Sequence, residues 1–161
     1  MSTILNYRYI NARLASSGQP LADEIQSIAD AGYEAVINLA MPYSPNVLED
    51  EGFRVISQGL DYYHIPVPWE EPTLAHLQRF CALMQMLEGR KVWVHCALNH
   101  RVSAFLFQYH RLVLGMPEAD AKAVMLPEWE PDEVWQAFLQ IDSNLTRLAP
   151  SAIPVGSYGD E

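Results

Sequence analysis

Val92, Trp93 and Val94 form a short run of bulky apolar residues, and a few positions later Val102, Phe105, Leu106, Tyr109, Leu112 and Val113 recur at helical spacing. A strand buried on both faces that feeds a helix through a short loop is the unit of α/β architecture. This pairing constrains the fold more than any other stretch, because such a strand needs neighbours on both edges and helices on both faces.

The remaining sequence supplies them. Leu21, Ile25, Ile28 and Ala29 repeat at helical spacing, Gly32 gives a stop, and Ala35, Val36, Ile37, Asn38 and Leu39 follow as a strand. After a loop with Pro42 and Pro45, a short helix through Phe53 and Ile56 stops at Gly59, ahead of a second strand from Tyr62 to Val67. Pro72 suits a first helical turn, Leu74, Leu77, Cys81, Met84 and Leu87 line one face, and Gly89 ends that helix. Two further helices are expected, one around Glu118 to Met125 and one from about Asp132, with Val134, Trp135, Phe138, Ile141 and Leu145 facing inward. Together these elements predict an α/β fold with a central, mostly parallel sheet flanked by helices.

With 161 residues, half of them apolar, the chain has enough core for one domain, expected over residues 1–149, and the Pro/Gly-rich residues 150–161 read as a mobile tail. No run approaches the roughly 20 apolar residues of a membrane span, and Asn6, Arg8 and Asn11 interrupt the N-terminal stretch, so the expectation is a cytoplasmic protein without a membrane partner. Ten Lys and Arg against twenty Asp and Glu leave a formal charge of -10, a field that repels nucleic acid. Any phosphate-bearing ligand must then be held by a local concentration of donors. Cys81 and Cys96 are the two cysteines, and both are expected to be reduced. The sequence does not disclose the oligomeric state.

Such donors are expected where the buried strand meets its helix. Val94-His95-Cys96-Ala97-Leu98-Asn99-His100-Arg101-Val102-Ser103 puts Cys96 at a strand end and Arg101 at a helix start, where ligands of open α/β sheets gather. Successive N–H groups of Ala97, Leu98, Asn99, His100 and Arg101 entering a helix can converge on a tetrahedral anion, and the helix dipole adds positive potential. The same field favours the thiolate, the nucleophilic form of cysteine. Arg101 brings a planar fork of donors suited to two phosphoryl oxygens. A leaving-group acid is expected after the neighbouring strand, at Glu70 or Glu71, with Glu70 preferred because Glu71 precedes Pro72 and suits the cap of the next helix; Asp61 is the fallback. His95 reads as a core histidine that orients the loop, and Ser103 as a hydroxyl able to donate to the sulfur. Cys81, on an apolar helix face, reads as core. The five histidines show no ligand spacing, so no metal is expected.

Tyr-Tyr-His-Ile-Pro-Val at Tyr62 to Val67, an acidic loop, a helix, then Val-His-Cys and Arg101 opening a helix resembles the tyrosine and dual-specificity phosphatase superfamily. The chain looks closest to a small bacterial branch related to the phosphatase-like part of beta-lactamase-hydrolase-like proteins, which Ser17-Gly18-Gln19-Pro20 before the first helix also fits. The resemblance implies a tyrosine-phosphatase-like fold and hydrolysis of phosphate monoesters without a cofactor. It implies Cys96 as phosphocysteine nucleophile, Arg101 as the phosphate-binding arginine, Glu70 or Glu71 in the general-acid region, and a phosphorylated small molecule or phosphoprotein as partner. The loop departs from that family in two ways. Four residues separate Cys96 from Arg101 where these phosphatases usually carry five, and there is no glycine, so Asn99 is the position best suited to a left-handed turn. Four is the spacing of many rhodanese-like sulfurtransferases, which makes sulfur transfer the alternative chemistry. A non-catalytic phosphate-binding module is a third.

Overall fold

In a computed structural model that describes residues 3–142, five strands form one sheet in the order β1-β2-β5-β3-β4. They are β1 (Arg8–Asn11), β2 (Leu14–Ser17), β3 (Ala35–Asn38), β4 (Asp61–His64) and β5 (Val92–His95). β5 is central and runs parallel to both β2 and β3, β4 continues the parallel set, and only β1 is antiparallel. The sheet is therefore mostly parallel, and its helices are α1 (Ala22–Asp30), α2 (Glu51–Ser57), α3 (Leu74–Met86), α4 (His100–Gln108), α5 (Glu118–Lys122) and α6 (Glu133–Leu139).

Strand alternation sorts the core into two layers. Leu14, Ile37, Val92 and Val94 point to the side covered by α3, α4 and α6, while Ala15, Val36 and Trp93 point to the side covered by α1 and α2. Both faces of β5 are thus dry, as its apolar sequence requires. Because α1 leaves β2 toward one face and α4 leaves β5 toward the other, a crevice opens at the C-terminal ends of these neighbouring strands. The register puts Ser17, His95 and Asn38 side by side at that edge.

Several local expectations need correction. The β1–β2 hairpin has no counterpart in the sequence pattern, because Leu14-Ala15-Ser16-Ser17 lacks bulk; β2 is nevertheless fully buried, since small residues let it approach Trp93 and the loop beyond β5. The short helix expected through Phe53 and Ile56 is present as α2, with both of those side chains exposed and Glu51 and Val55 buried. Pro72 lies outside α3, whose N-cap is Thr73: its hydroxyl accepts from the His76 N–H at 3.2 Å, and His76 Nδ1 accepts from the Thr73 N–H at 3.0 Å. Thr73, and not Glu71, caps this helix. α4 has no single apolar stripe but is buried on all sides, and it continues into a π-helical turn at Tyr109–Val113. α5 stops at Lys122, short of Met125, and Val134 of α6 faces outward. Leu145 and residues 150–161 lie outside the described residues.

Candidate functional site

Cys96 is the first residue after β5 and is 1% exposed. It opens on a cavity of about 210 Å³ whose wall is formed by Cys96, Ala97, Leu98, His100 and Arg101, with Ser44 and Pro45 from beyond β3 and Trp69 from beyond β4. A larger hollow of about 700 Å³ lies beside α5 and α6, but neither Cys96 nor Arg101 reaches it. Size alone would select a different place from the one where the candidate residues Cys96 and Arg101 meet at the strand ends.

The loop turns its carbonyls outward. The Ala97 carbonyl accepts from the Gln19 N–H at 3.0 Å and from Asn46 Nδ2 at 3.0 Å, and the Leu98 carbonyl accepts from Asn6 Nδ2 at 2.9 Å. Within a peptide unit the N–H points opposite to the C=O, so the amides of Leu98 and Asn99 are directed away from this belt of outer partners. Among the described residues, none of the N–H groups from Ala97 to Val102 has a hydrogen-bond partner. Six consecutive free donors at the start of a buried helix form a cradle for an anion. Asn99 sits at the turn with φ 68°, the left-handed conformation, and its Nδ2 donates to the Asn6 carbonyl at 2.8 Å and to Ser16 Oγ at 3.1 Å.

Gly18 is where the outer wall touches the loop. A Cβ there would lie 2.7 Å from the Ala97 carbonyl oxygen, a backbone atom that cannot swing away. Gly18→Ala is therefore expected to push the loop out of register, lowering stability by about 1–3 kcal/mol and weakening phosphate binding together; thermal melting with and without phosphate measures both.

Arg101 is 7% exposed, and its Nη1 donates to the Val67 carbonyl at 2.8 Å while the guanidinium lies 5.8 Å from the Trp69 ring centre. Its Nε is buried without an acceptor, and among the described residues Arg101 has no carboxylate partner. An enclosed, unpaired cation is costly, and a ligand anion is the group that would satisfy it.

His95 beneath the loop is fully buried. Its Nε2 lies 2.6 Å from Glu51 Oε2 and its Nδ1 lies 3.1 Å from the Cys96 carbonyl, while Glu51 Oε1 accepts from Gln19 Nε2 at 2.5 Å. Burial works against ionisation of Glu51, but the neighbouring His95 charge and the hydrogen bonds from His95, Gln19 and Tyr62 outweigh it and hold the carboxyl below its ordinary value.

The other candidates are dispersed. Ser103 has no hydrogen bond to Cys96 among the described residues; its oxygen accepts from the Leu126 N–H at 2.9 Å, fixing the segment after α5. Asp61 stands at the opposite end of β4, paired with Arg90 at 3.2 Å, so it cannot serve this cavity. Glu70 and Glu71 are exposed in the turn after Trp69 and do not line the cavity. His100 does, with its ring stacked on Trp129 at 5.1 Å; burial, aided by Arg101, lowers its pKa. Cys81 lies in the core, where burial pushes its thiol up to about 12. Iodoacetamide on the native chain is therefore expected to label Cys96 and spare Cys81, with peptide mass analysis reading the site. Among the described residues, no group of three or more His, Cys, Asp or Glu side chains comes together as a metal site. No helix there is long and apolar enough to cross a membrane.

Glu51, Gln19, Asn6 and Asn46 are the residues that sequence reasoning did not assign. Gln19 lies in the Ser17–Pro20 motif, which was a usable signal; the two asparagines act on carbonyls of a distant loop and leave no local pattern.

No protein-family model matches the chain. Two beta-lactamase hydrolase-like proteins of Xylella fastidiosa, from strains Temecula1 and 9a5c, are 33% identical over 114 residues, 69% of this chain and 26% of theirs. The chain thus spans about a quarter of the length of the curated relatives it matches. Among solved structures, a DUF442 phosphatase-like protein of Shewanella putrefaciens CN-32 is 33% identical with a TM-score of 0.76, covering 86% of this chain and 91% of that one. Tk-PTP in its active form shares the fold at 20% identity and a TM-score of 0.70, over 83% of this chain and 93% of its own. TpbA of P. aeruginosa, in complex with pTyr, shares it at 15% identity and a TM-score of 0.69, over 89% and 88%. With a loop of free amides after the central strand and a near-full-length match at this identity, the chain belongs to the DUF442 phosphatase-like family, built on the tyrosine-phosphatase fold.

Proposed function

We propose that the chain is a cysteine-dependent phosphatase that hydrolyses phosphate monoesters at the Cys96 cavity. The observation that carries the reading is Arg101: buried and, among the described residues, without a carboxylate partner or an acceptor for its Nε, beside a thiol and a run of amides that have no partner there either. That set fits the three peripheral oxygens of a phosphoryl group and puts a nucleophile behind them.

In this mechanism the Cys96 thiolate attacks phosphorus, an S–P bond forms as the P–O bond to the leaving group breaks, and the leaving oxygen takes a proton. Glu70, next to the wall residue Trp69, is the proposed donor, and the resulting carboxylate then draws a proton from water as that water attacks phosphorus and releases phosphate and the thiolate. Arg101 and the amides of Ala97, Leu98, Asn99 and His100 bind the phosphoryl oxygens throughout, and His95 supports the loop. No cofactor enters these steps. The partner is a phosphorylated small molecule or phosphoprotein; the narrow, partly aromatic wall of Trp69, Pro45 and Leu98 accepts an ester group without further charge.

A second reading is favoured by two specific observations. Four residues separate Cys96 from Arg101, and among the described residues no carboxylate lines the cavity. Sulfur transfer needs no leaving-group acid: the thiolate takes the sulfane sulfur of thiosulfate as a persulfide and releases sulfite. Turnover of an aryl phosphate and of thiosulfate with cyanide, by wild type and Cys96→Ser side by side, tests the proposal; aryl phosphate turnover that survives the serine substitution overturns it.

A further inference from the structure

The hollow of about 700 Å³ beside α5 and α6 combines an apolar wall with one charged edge. Phe107 of α4 and Leu126, both buried, line it together with the half-buried Met125, Trp129 and Leu139. Bonds from separate elements hold it open. The Leu126 N–H donates to Ser103 Oγ of α4 at 2.9 Å, Arg8 Nη2 at the start of β1 donates to the Ala123 carbonyl at 2.7 Å, and the Trp129 N–H closes a turn on the Leu126 carbonyl at 3.2 Å. Interiors otherwise pack closely, and a braced recess of this size is in the range of a small-molecule site. At its edge stand Arg8 and Lys122, with Glu118 one helical turn before Lys122. Among the described residues neither cation has a carboxylate within ion-pair distance, and Arg8 Nε is buried without an acceptor. Two cations and one carboxylate leave this edge net positive in a chain whose formal charge is -10. The hollow is separate from the Cys96 cavity: His100 lines the cavity, Trp129 lines the hollow, and their rings are stacked 5.1 Å apart between the two.

We propose that this hollow is a second binding site, for a free amphiphilic carboxylate: an acyl or aryl body lies against Phe107, Met125, Leu126, Trp129 and Leu139, and its single carboxylate is received by Arg8 and Lys122. The wall withdraws the apolar body from water, and a guanidinium held in place by the Ala123 carbonyl offers its remaining donors to the carboxylate in a fixed geometry. A polyphosphate or nucleotide is disfavoured, because one net positive charge does not offset several negative ones against the field of an acidic chain. An anionic bilayer meets the same repulsion, and it would have to enter a recess. The site is independent of the reaction at Cys96 and stands whether or not the chain hydrolyses phosphate esters.

Titration of the nitrogen-15-labelled full chain with octanoate, 1-octanol and acetate separates the two halves of the ligand. Octanoate is expected to move the Trp129 indole N–H and the amides of Ala123 to Leu126 with a dissociation constant of about 1 mM or tighter. Octanol, which lacks the charge, and acetate, which lacks the body, are each expected to bind at least about tenfold more weakly. Arg8→Met is expected to weaken octanoate binding by about tenfold. Ala123→Trp adds bulk at an exposed position bordering the hollow and leaves the carbonyl that Arg8 grips in place, so it serves if Arg8→Met does not fold; it is expected to abolish binding. Octanoate that moves none of these resonances, octanol that binds as tightly as octanoate, or binding that survives Ala123→Trp overturns the proposal. Arg101→Met is expected to leave octanoate binding unchanged; loss of binding in that variant would put the carboxylate in the Cys96 cavity and overturn it as well. Phosphatidylglycerol vesicles are expected to leave the same resonances unmoved, and vesicle binding without octanoate binding would assign the hollow to a membrane surface instead. A dimer in sedimentation velocity that Ala123→Trp dissolves would assign it to a second copy of the chain.

Discussion

Cys96→Ser is expected to lower aryl phosphate turnover by at least about 10⁴-fold in kcat while leaving the fold and phosphate binding intact. A serine hydroxyl ionises far less readily than a thiol, and the adjacent ring of His95 has its two nitrogens engaged by Glu51 and the Cys96 carbonyl. The substitution is nearly isosteric in a site that is 1% exposed, so the surrounding contacts survive. Phosphate should therefore still raise the melting temperature of the variant, because the amides and Arg101 that hold it are untouched. Steady-state kinetics with an aryl phosphate, run beside melting curves in phosphate, check both halves. A phosphate-binding module without catalysis predicts a different pattern: no turnover by wild type and identical melting shifts in the two proteins. Wild-type turnover of thiosulfate with cyanide, absent in Cys96→Ser and without aryl phosphate turnover, would transfer the same thiolate to sulfur chemistry.

The fold was legible where burial on both faces writes a continuous apolar run, as in Ala35–Asn38 and Val92–His95, and where a glycine past a helix end supplies a positive φ, as Gly32 and Gly59 do. It was not legible where contact comes from smallness. Ala15, Ser16 and Ser17 are buried because they let β2 lie close to Trp93 and to the loop after it; Trp93 Nε1 donates to Ser17 Oγ at 2.9 Å. No alternation of bulky residues announces such a strand. The exposed face of α2 shows the converse: Phe53 and Ile56 carry the hydrophobicity, yet Glu51 is the residue turned inward, because its partner His95 lies across the sheet edge. A carboxylate in a first helical turn reads as a solvated complement to the helix dipole unless that partner is known. In the site, Asn99 could be picked out as the turn residue because few side chains tolerate φ near 68°, whereas the outer belt of Asn6, Gln19 and Asn46 binds main-chain carbonyls and so imposes no residue type on the loop.

Arg101→Met is expected to leave thermal stability in phosphate-free buffer unchanged or higher, and to abolish the rise in melting temperature that phosphate gives the wild type. The two effects have one cause. Arg101 is a cation almost wholly withdrawn from water, with one carbonyl contact at Val67, an aromatic face at Trp69 and, among the described residues, no counter-charge. Replacing it with an apolar side chain of similar length removes the desolvation cost of that charge, offset by the lost bond to the Val67 carbonyl of about 1 kcal/mol. In the wild type, an anion at about 100 times its dissociation constant adds about 2.7 kcal/mol of stability, a shift of roughly 5–10 °C for a domain of this size. The methionine variant loses the guanidinium that contributes most of that affinity, and its kcat/KM for aryl phosphate is expected to fall by at least about 10³-fold. Arg101→Lys discriminates further, since it keeps the charge but not the fork: Val67 and two phosphoryl oxygens cannot all be reached by one ammonium in the arginine geometry, so phosphate stabilisation persists in part while turnover drops by about 10²-fold. Differential scanning fluorimetry across a phosphate titration, with kinetics on the same preparations, reads all three proteins. If Arg101→Met melted well below the wild type without phosphate and kept its phosphate shift, the guanidinium would be a structural pin for Val67, and the anion would have to be held by the loop amides alone.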